Sequence, residues 1–127
     1  MAVLYAAMRA YLAGPPYADD YRRLAGEFVR ALGWEPVDPM RRDFRGRTEG
    51  NEAEIVEGDL ADIESCDALL ADFSEPDEGT AMEAWHAHRL GKRVIAYAGG
   101  RRPHPWTVYV AESVWDELED AVRALIA

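Results

Sequence analysis

Asp67-Ala68-Leu69-Leu70-Ala71-Asp72-Phe73 is an almost unbroken apolar run, and together with the helix and strand beyond it this stretch decides the fold. Such a run suits a strand covered on both faces of a sheet. A loop, Ser74 to Asp77, leads into a helix read over 79–90 and stopped by Gly91; Val94 to Ala98 is the next apolar strand. Strand, helix and strand joined by short connections form a crossover unit, which requires the strands to be parallel. Toward the N-terminus, Met8 to Ala13 reads as the first strand, ended by the turn Gly14-Pro15-Pro16. A helix over 18–32 comes next, with Tyr21, Leu24, Ala25, Phe28 and Leu32 on one stripe and Gly33 as its stop. Trp34 to Val37 is a short strand, 38–50 a loop, and 51–65 a helix with Val56, Leu60 and Ile63 inward. Toward the C-terminus, Thr107 to Val110 reads as the fifth strand and 113–126 as the last helix, with Val114, Leu118, Val122 and Leu125 on one face. This order predicts an α/β fold: a doubly wound, five-stranded parallel sheet with helices on both faces. One domain is expected over 1–127, with residues 3–7 either prolonging the first strand or belonging to an N-terminal extension over 1–7.

The chain of 127 residues carries 24 acids against 14 bases, a net charge of −10. Phosphate backbones and anionic membranes attract basic surfaces, so no nucleic-acid polymer and no membrane is expected as partner. The longest apolar stretch, Ala2 to Met8, is too short to span a bilayer and lacks a basic flank, so neither a signal peptide nor a membrane helix is read. Cys66 is the single cysteine, which excludes an intrachain disulfide and agrees with a cytoplasmic location.

Parallel sheets bind ligands beyond the carboxyl ends of their strands, here Leu12 to Pro16, Phe73 to Gly79 and Ala98 to Arg102. The first of these has no glycine-rich dinucleotide or P-loop pattern. The second is dense with carboxylates: Asp72, Glu75, Asp77, Glu78 and Glu83. Two readings of Glu83 compete. Thr80-Ala81-Met82-Glu83 fits a capping box, which would make Glu83 structural. Alternatively, a carboxylate in the first turn of a helix that opens at the ligand edge is held ionised by the helix dipole and can act as a nucleophile. Asp77 fits an N-cap. Asp59 lies four residues after Ile55, three after Val56 and four before Ile63, beside an apolar face. It is either a boundary residue reaching water or an acid withdrawn from solvent with a raised pKa, fit to give a proton. His86 and His88 are two apart and share no helix face, so they read as surface or packing residues, and no metal site is expected.

Four stretches together resemble the nucleoside 2-deoxyribosyltransferase family: Tyr11-Leu12-Ala13-Gly14-Pro15; Asp59-Leu60-Ala61-Asp62-Ile63-Glu64-Ser65-Cys66-Asp67-Ala68-Leu69-Leu70-Ala71-Asp72; Asp77-Glu78-Gly79-Thr80-Ala81-Met82-Glu83-Ala84; and Gly91-Lys92-Arg93-Val94-Ile95-Ala96-Tyr97. The resemblance spans roughly residues 8–98, and the order and spacing of its motifs are more specific than any one of them. It implies a flavodoxin-like fold and homodimers or larger homo-oligomers. It also implies that Glu83 attacks the anomeric carbon of a 2-deoxynucleoside, that Tyr11 positions that carboxylate, and that Asp59 and Asp77 face the base and handle its proton. Gly14, Pro15 and Gly79 would complete the substrate site. No cofactor is implied. The family often carries an Asn after the fourth strand that contacts the sugar 5′-hydroxyl; here that region is His104-Pro105-Trp106-Thr107-Val108, without an Asn.

The expected activity is transfer of a 2-deoxyribosyl group between nucleobases through a covalent glycosyl-glutamate, with retention of configuration. The alternatives are hydrolysis of 2-deoxynucleosides or their 5′-monophosphates, and a non-catalytic nucleoside- or nucleotide-sensing module. Pro15 and Pro16 remove two N–H donors that a phosphate would use. Arg41, Arg42, Arg45 and Arg47 are read either as a solvated loop or as a substitute source of charge for a phosphate.

Overall fold

The computed structural model describes residues 7–127; most of the proposed extension lies outside them. Five strands form one sheet: β1 (Arg9–Ala13), β2 (Glu35–Val37), β3 (Ala68–Asp72), β4 (Arg93–Tyr97) and β5 (Ser113–Trp115), ordered β2-β1-β3-β4-β5 with every pair parallel. The helices are α1 (Asp19–Ala31), α2 (Glu52–Ser65), α3 (Glu78–Arg89), α4 (Pro105–Val110) and α5 (Leu118–Ile126). This is the doubly wound, flavodoxin-like arrangement, with its switch in strand order between β1 and β3.

Successive strand residues point to opposite faces, and two cores result from that alternation. Ala10, Leu12, Leu70 and Ile95 pack with Tyr21, Ala25 and Val29 of α1 and Ala121, Val122 and Leu125 of α5. Tyr11, Ala13, Leu69, Ala71, Val94 and Ala96 pack with Ile63 of α2, Ala84 and Ala87 of α3 and Val110 of α4. Tyr11 therefore enters from the middle of the sheet on the side that carries α3.

The C-terminal third differs from its sequence reading. Residues 107–110, read as a strand from their β-branched and aromatic side chains, form the second part of α4, and the fifth strand is Ser113–Trp115, where the last helix was expected to begin. The reason lies just upstream. His104 accepts the Trp106 amide at its Nδ1 (3.1 Å), and Pro105 occupies the first turn, where its fixed φ starts a helix. Thr107 and Val110 are buried while Val108 and Tyr109 are exposed, a spacing of three rather than two. Val114 accordingly pairs with Ala96 in the sheet, and α5 begins only at Leu118. In α1, Leu24 and Leu32 are exposed, and Arg22 turns inward beside Tyr21, Ala25 and Val29. In α2, Val56 is exposed while Ile63 is buried. The loop 38–50 contains a 3₁₀ turn over Pro39–Arg41, capped by Asp38, whose Oδ1 accepts the Met40 amide at 2.8 Å.

Candidate active site

The head of α3 shows that Glu83 is not its cap. Asp77 is the N-cap: its Oδ2 accepts from the Thr80 amide (2.9 Å) and from the Thr80 hydroxyl (2.7 Å). The cap is thereby satisfied three residues into the segment, and Glu83 is released from that task. Glu83 instead accepts a hydrogen bond at Oε2 from the Tyr11 hydroxyl, which reaches it from the fully buried centre of β1.

Glu83 lies at the carboxyl edge of the sheet. A cavity of about 190 Å³ opens there, lined by Gly14, Asp59, Asp77, Gly79 and Glu83, with Pro39, Met40, Phe44 and Ile55 as an apolar wall and Arg22, Arg42 and Arg45 among the remaining neighbours. Tyr11 stands behind Glu83, buried and outside the cavity lining. The structure thus brings Asp59, Asp77 and Glu83 around one space, whereas Asp72, Glu75 and Glu78 do not line it. Pro15 does not line it; its neighbour Pro16 does, while the Pro15 carbonyl accepts from Arg22. Space at Gly14 is tight: a Cβ there would stand 3.0 Å from Tyr21 Cε1 and 3.3 Å from the Asp72 Cβ. Asp72 is buried and its Oδ1 accepts from the amide (3.0 Å) and hydroxyl (2.6 Å) of Ser74.

Burial pushes the Glu83 carboxyl up to about 8; the Tyr11 hydrogen bond opposes the rise, the charges of Asp59 and Asp77 add to it, and Arg22 opposes it. Tyr11 is raised far above the usual phenol range, first by burial and then by the charge of Glu83, so it acts as a donor only. Burial also raises Asp59, against the pull of Arg42, whose Nη2 lies 3.2 Å from Asp59 Oδ1. Burial would raise Asp62 too, but hydrogen bonds from Arg41 (2.9 and 2.7 Å) and Arg42 (2.7 Å) outweigh it and hold Asp62 below the usual carboxylate value.

The loop that carries the arginine cluster is largely exposed, as a solvated loop is, but Arg41, Arg42 and Arg45 are paired with carboxylates and are not free charge. Arg41 and Arg42 tie the 3₁₀ turn to α2, and Arg45 bridges Asp43 (2.7 Å) and Asp19 of α1 (2.8 Å), stitching the loop across the cavity. Arg47 donates to the Asp43 carbonyl at 2.7 Å. Sequence reading missed Arg22, Met40 and Phe44 as neighbours of the site. Nothing in spacing marks Met40 and Phe44, since the loop's path is set by ion pairs between distant segments. His88 packs against Trp85 and Tyr109, and His86 lies 3.6 Å from Glu64. Among the described residues no cluster of His, Cys, Asp and Glu is arranged to hold a metal ion, and no helix is long and apolar enough to cross a membrane.

In a sheet of this topology ligands bind beyond the carboxyl ends of the strands, where this cavity opens. The model of the nucleoside 2-deoxyribosyltransferase family matches residues 10–119, and the chain belongs to that family. Among solved structures, a 2-deoxyribosyltransferase from the psychrotolerant bacterium Bacillus psychrosaccharolyticus is similar with a TM-score of 0.75 at 20% identity, over 90% of this chain and 90% of that one. A conserved protein from Enterococcus faecalis V583 gives a TM-score of 0.77 at 20% identity, over 94% of this chain and 98% of that one. At such identity these likenesses establish the fold. No curated protein sequence matches the chain.

Proposed function

We propose that the protein transfers 2-deoxyribose between nucleobases, with Glu83 as nucleophile. The observation that carries this reading is the Tyr11 hydroxyl bonded to Glu83 beside a cavity while Asp77 alone caps the helix. In the first step the Glu83 carboxylate forms a C–O bond to the anomeric carbon as the C–N bond to the base breaks. The electron pair of that bond leaves with the base, which takes a proton from Asp59. The buried setting of Asp59 favours its protonated form and suits it to this work. In the second step another base attacks the glycosyl ester from the face the first one left, returns its proton to Asp59 and frees Glu83, so configuration is retained. Tyr11 holds the carboxylate in line, and the apolar wall of Met40, Phe44 and Ile55 receives the base.

The substrate in this reading is an unphosphorylated 2-deoxynucleoside. Arg42 and Arg45 already face two carboxylates each, and Pro15 and Pro16 offer no N–H. The family resemblance further implies a homo-oligomer, and the exposed side chains of Met82, Trp85, Trp106 and Tyr109 on α3 and α4 give it an apolar surface to use.

The test is incubation with 2′-deoxyinosine, with and without adenine, and chromatography of the products. Deoxyadenosine formed only with protein supports transfer; hypoxanthine released without exchange replaces transfer by hydrolysis through the same intermediate. Glu83→Ala and Glu83→Gln are expected to abolish turnover while retaining the fold. Full activity in either, measured beside a circular dichroism spectrum like that of the parent, removes Glu83 from the mechanism.

A further inference from the structure

Among the described residues Arg22 is the one arginine or lysine that is buried, at 3% exposure. Its Nη2 donates to the carbonyl oxygens of Gly14 (2.9 Å) and Pro15. Nη1 stands 3.8 Å from the Asp19 carboxylate and Nε 3.7 Å from that of Asp38. Neither nitrogen has a hydrogen-bond partner, and both are closed off from solvent. A buried guanidinium so incompletely satisfied is costly, and an apolar side chain of similar volume would pack more cheaply there. Leu24 and Leu32 of the same helix stay at the surface while this arginine goes in. What distinguishes its location is the cavity, which it lines together with Gly14 and Glu83.

We propose that Arg22 is a positioning residue for the glycosyl transfer: its guanidinium clamps the Gly14–Pro15 turn to α1, fixing one wall of the cavity, and places a positive charge near Glu83. The proposal rests on the reading of Glu83 as nucleophile. Pro15 and Pro16 donate no backbone hydrogen bonds, and besides Arg22 the turn is held by the Ala18 amide on the Pro15 carbonyl (3.1 Å) and Arg45 Nη1 on the Pro16 carbonyl (3.3 Å). Glu83 is faced by Tyr11 from β1, Asp59 from α2, Asp77 at the head of α3 and Arg22 from α1, and in that set Arg22 is the cation. Arg22 itself is faced by Asp19 of α1 and Asp38 after β2. When Glu83 ionises and attacks, the clamp keeps the wall in place and the charge favours the carboxylate.

The experiment compares Arg22→Met, Arg22→Lys and the exposed neighbour Arg23→Met with the parent protein. Two readouts are taken: kcat and KM for deoxyinosine–adenine exchange across pH, and a carbon-13 NMR titration of the Glu83 side-chain carboxyl, which needs no turnover. Arg22→Met is expected to lose roughly tenfold or more in kcat/KM through misplacement of the wall. Its kinetic limb and NMR midpoint should rise together by about half a unit or more as a nearby positive charge is removed. Arg22→Lys should bring the midpoint back toward the parent value but keep a raised KM, because an ammonium cannot reproduce the planar fork. Arg23→Met should match the parent. A folded Arg22→Met with unchanged kcat/KM and midpoint overturns the proposal, as does an equal loss in both Arg22 variants with neither midpoint moved. Should Arg22→Met fail to fold, a parental KM in Arg22→Lys overturns it. A parent protein without exchange or hydrolysis defeats the reading of Glu83 and this role with it; an active parent with an indifferent Arg22 defeats this role alone.

Discussion

Replacing Tyr11 with Phe removes one hydroxyl and leaves the ring that fills the core between β1 and α3. The consequence should be read in the pH profile rather than in folding. Glu83 titrates at about 8 because burial outweighs the stabilisation it receives, and the Tyr11 hydrogen bond is the largest influence holding that value down. A hydrogen bond to a charged acceptor contributes about 1.5–3 kcal/mol, and each 1.36 kcal/mol is about one pKa unit, so its loss raises the Glu83 midpoint by roughly one to two units. The nucleophile is the ionised form, so kcat/KM of the parent should climb with pH through about 8, and that of Tyr11→Phe should climb correspondingly later. Near neutrality the variant should be slower by roughly ten- to a hundredfold, with the gap narrowing as the medium becomes alkaline. The assay is the initial rate of deoxyinosine–adenine exchange at subsaturating nucleoside, from mildly acid to strongly alkaline buffers. If the Tyr11→Phe limb coincides with that of the parent, or moves toward acid, the hydroxyl does not stabilise the reacting carboxylate and the argument fails. A parental profile flat across neutrality refutes the burial of Glu83 itself.

The same shift has a stability signature. Because the folded pKa of Glu83 lies above its ordinary value of 4.5, its contribution is fully present below that value and is lost as pH rises through about 8. Glu83→Gln should therefore be more stable than the parent in mildly alkaline buffer, by up to a few kcal/mol, with the difference shrinking toward acid; parallel urea midpoints at all pH values would contradict this. Gly14→Ala should cost about 1–3 kcal/mol and impair turnover, since the new methyl meets a Tyr21 ring fixed by stacking on Tyr97 and by its hydrogen bond to the Leu70 carbonyl. A thermal midpoint equal to that of the parent would show that the ring can move. Asp77→Ala should lose about 0.5–2 kcal/mol from the α3 cap; an unchanged urea midpoint would mean that another group caps the helix.

The sheet and most of its helices were legible because each element announces itself within a few residues. The apolar run of β3, the stop at Gly91 and the strand beyond it need no tertiary information. Part of the candidate site was legible for the same reason, since Asp77 and Glu83 lie on one segment, whereas Tyr11 was marked only by the family resemblance. What escaped depends on contacts between segments. Thr107 to Val110 has the composition of a strand, and the cap made by His104 with Pro105 overrides it. Arg22 was unreadable because a charged residue is normally placed outward, and only the fold brings the carbonyls of Gly14 and Pro15 to it. The loop over 38–50 showed its charges but not their partners, Asp59, Asp62 and Asp19, which come from α2 and α1.

Those partners bear on what the site can accept. The arginines near the cavity each face carboxylates: Arg42 meets Asp59 and Asp62, Arg45 meets Asp43 and Asp19, and Arg22 stands between Asp19 and Asp38. Arg42 and Arg45 are thus already paired, and Arg22 is the cation left facing Glu83. Pairing of Arg42 and Arg45 leaves less free charge for a phosphate, and in the proposed transfer an ionised Glu83 favours the positive charge that builds on the sugar ring as the glycosidic bond breaks. Burial, with neighbouring carboxylates adding to it, raises both Glu83 and Asp59, and in the proposed mechanism Asp59 holds the proton the departing base requires. On the proposed mechanism two acids at this one edge of the sheet divide the work: Glu83 stabilises the cationic transition state and Asp59 protonates its leaving group.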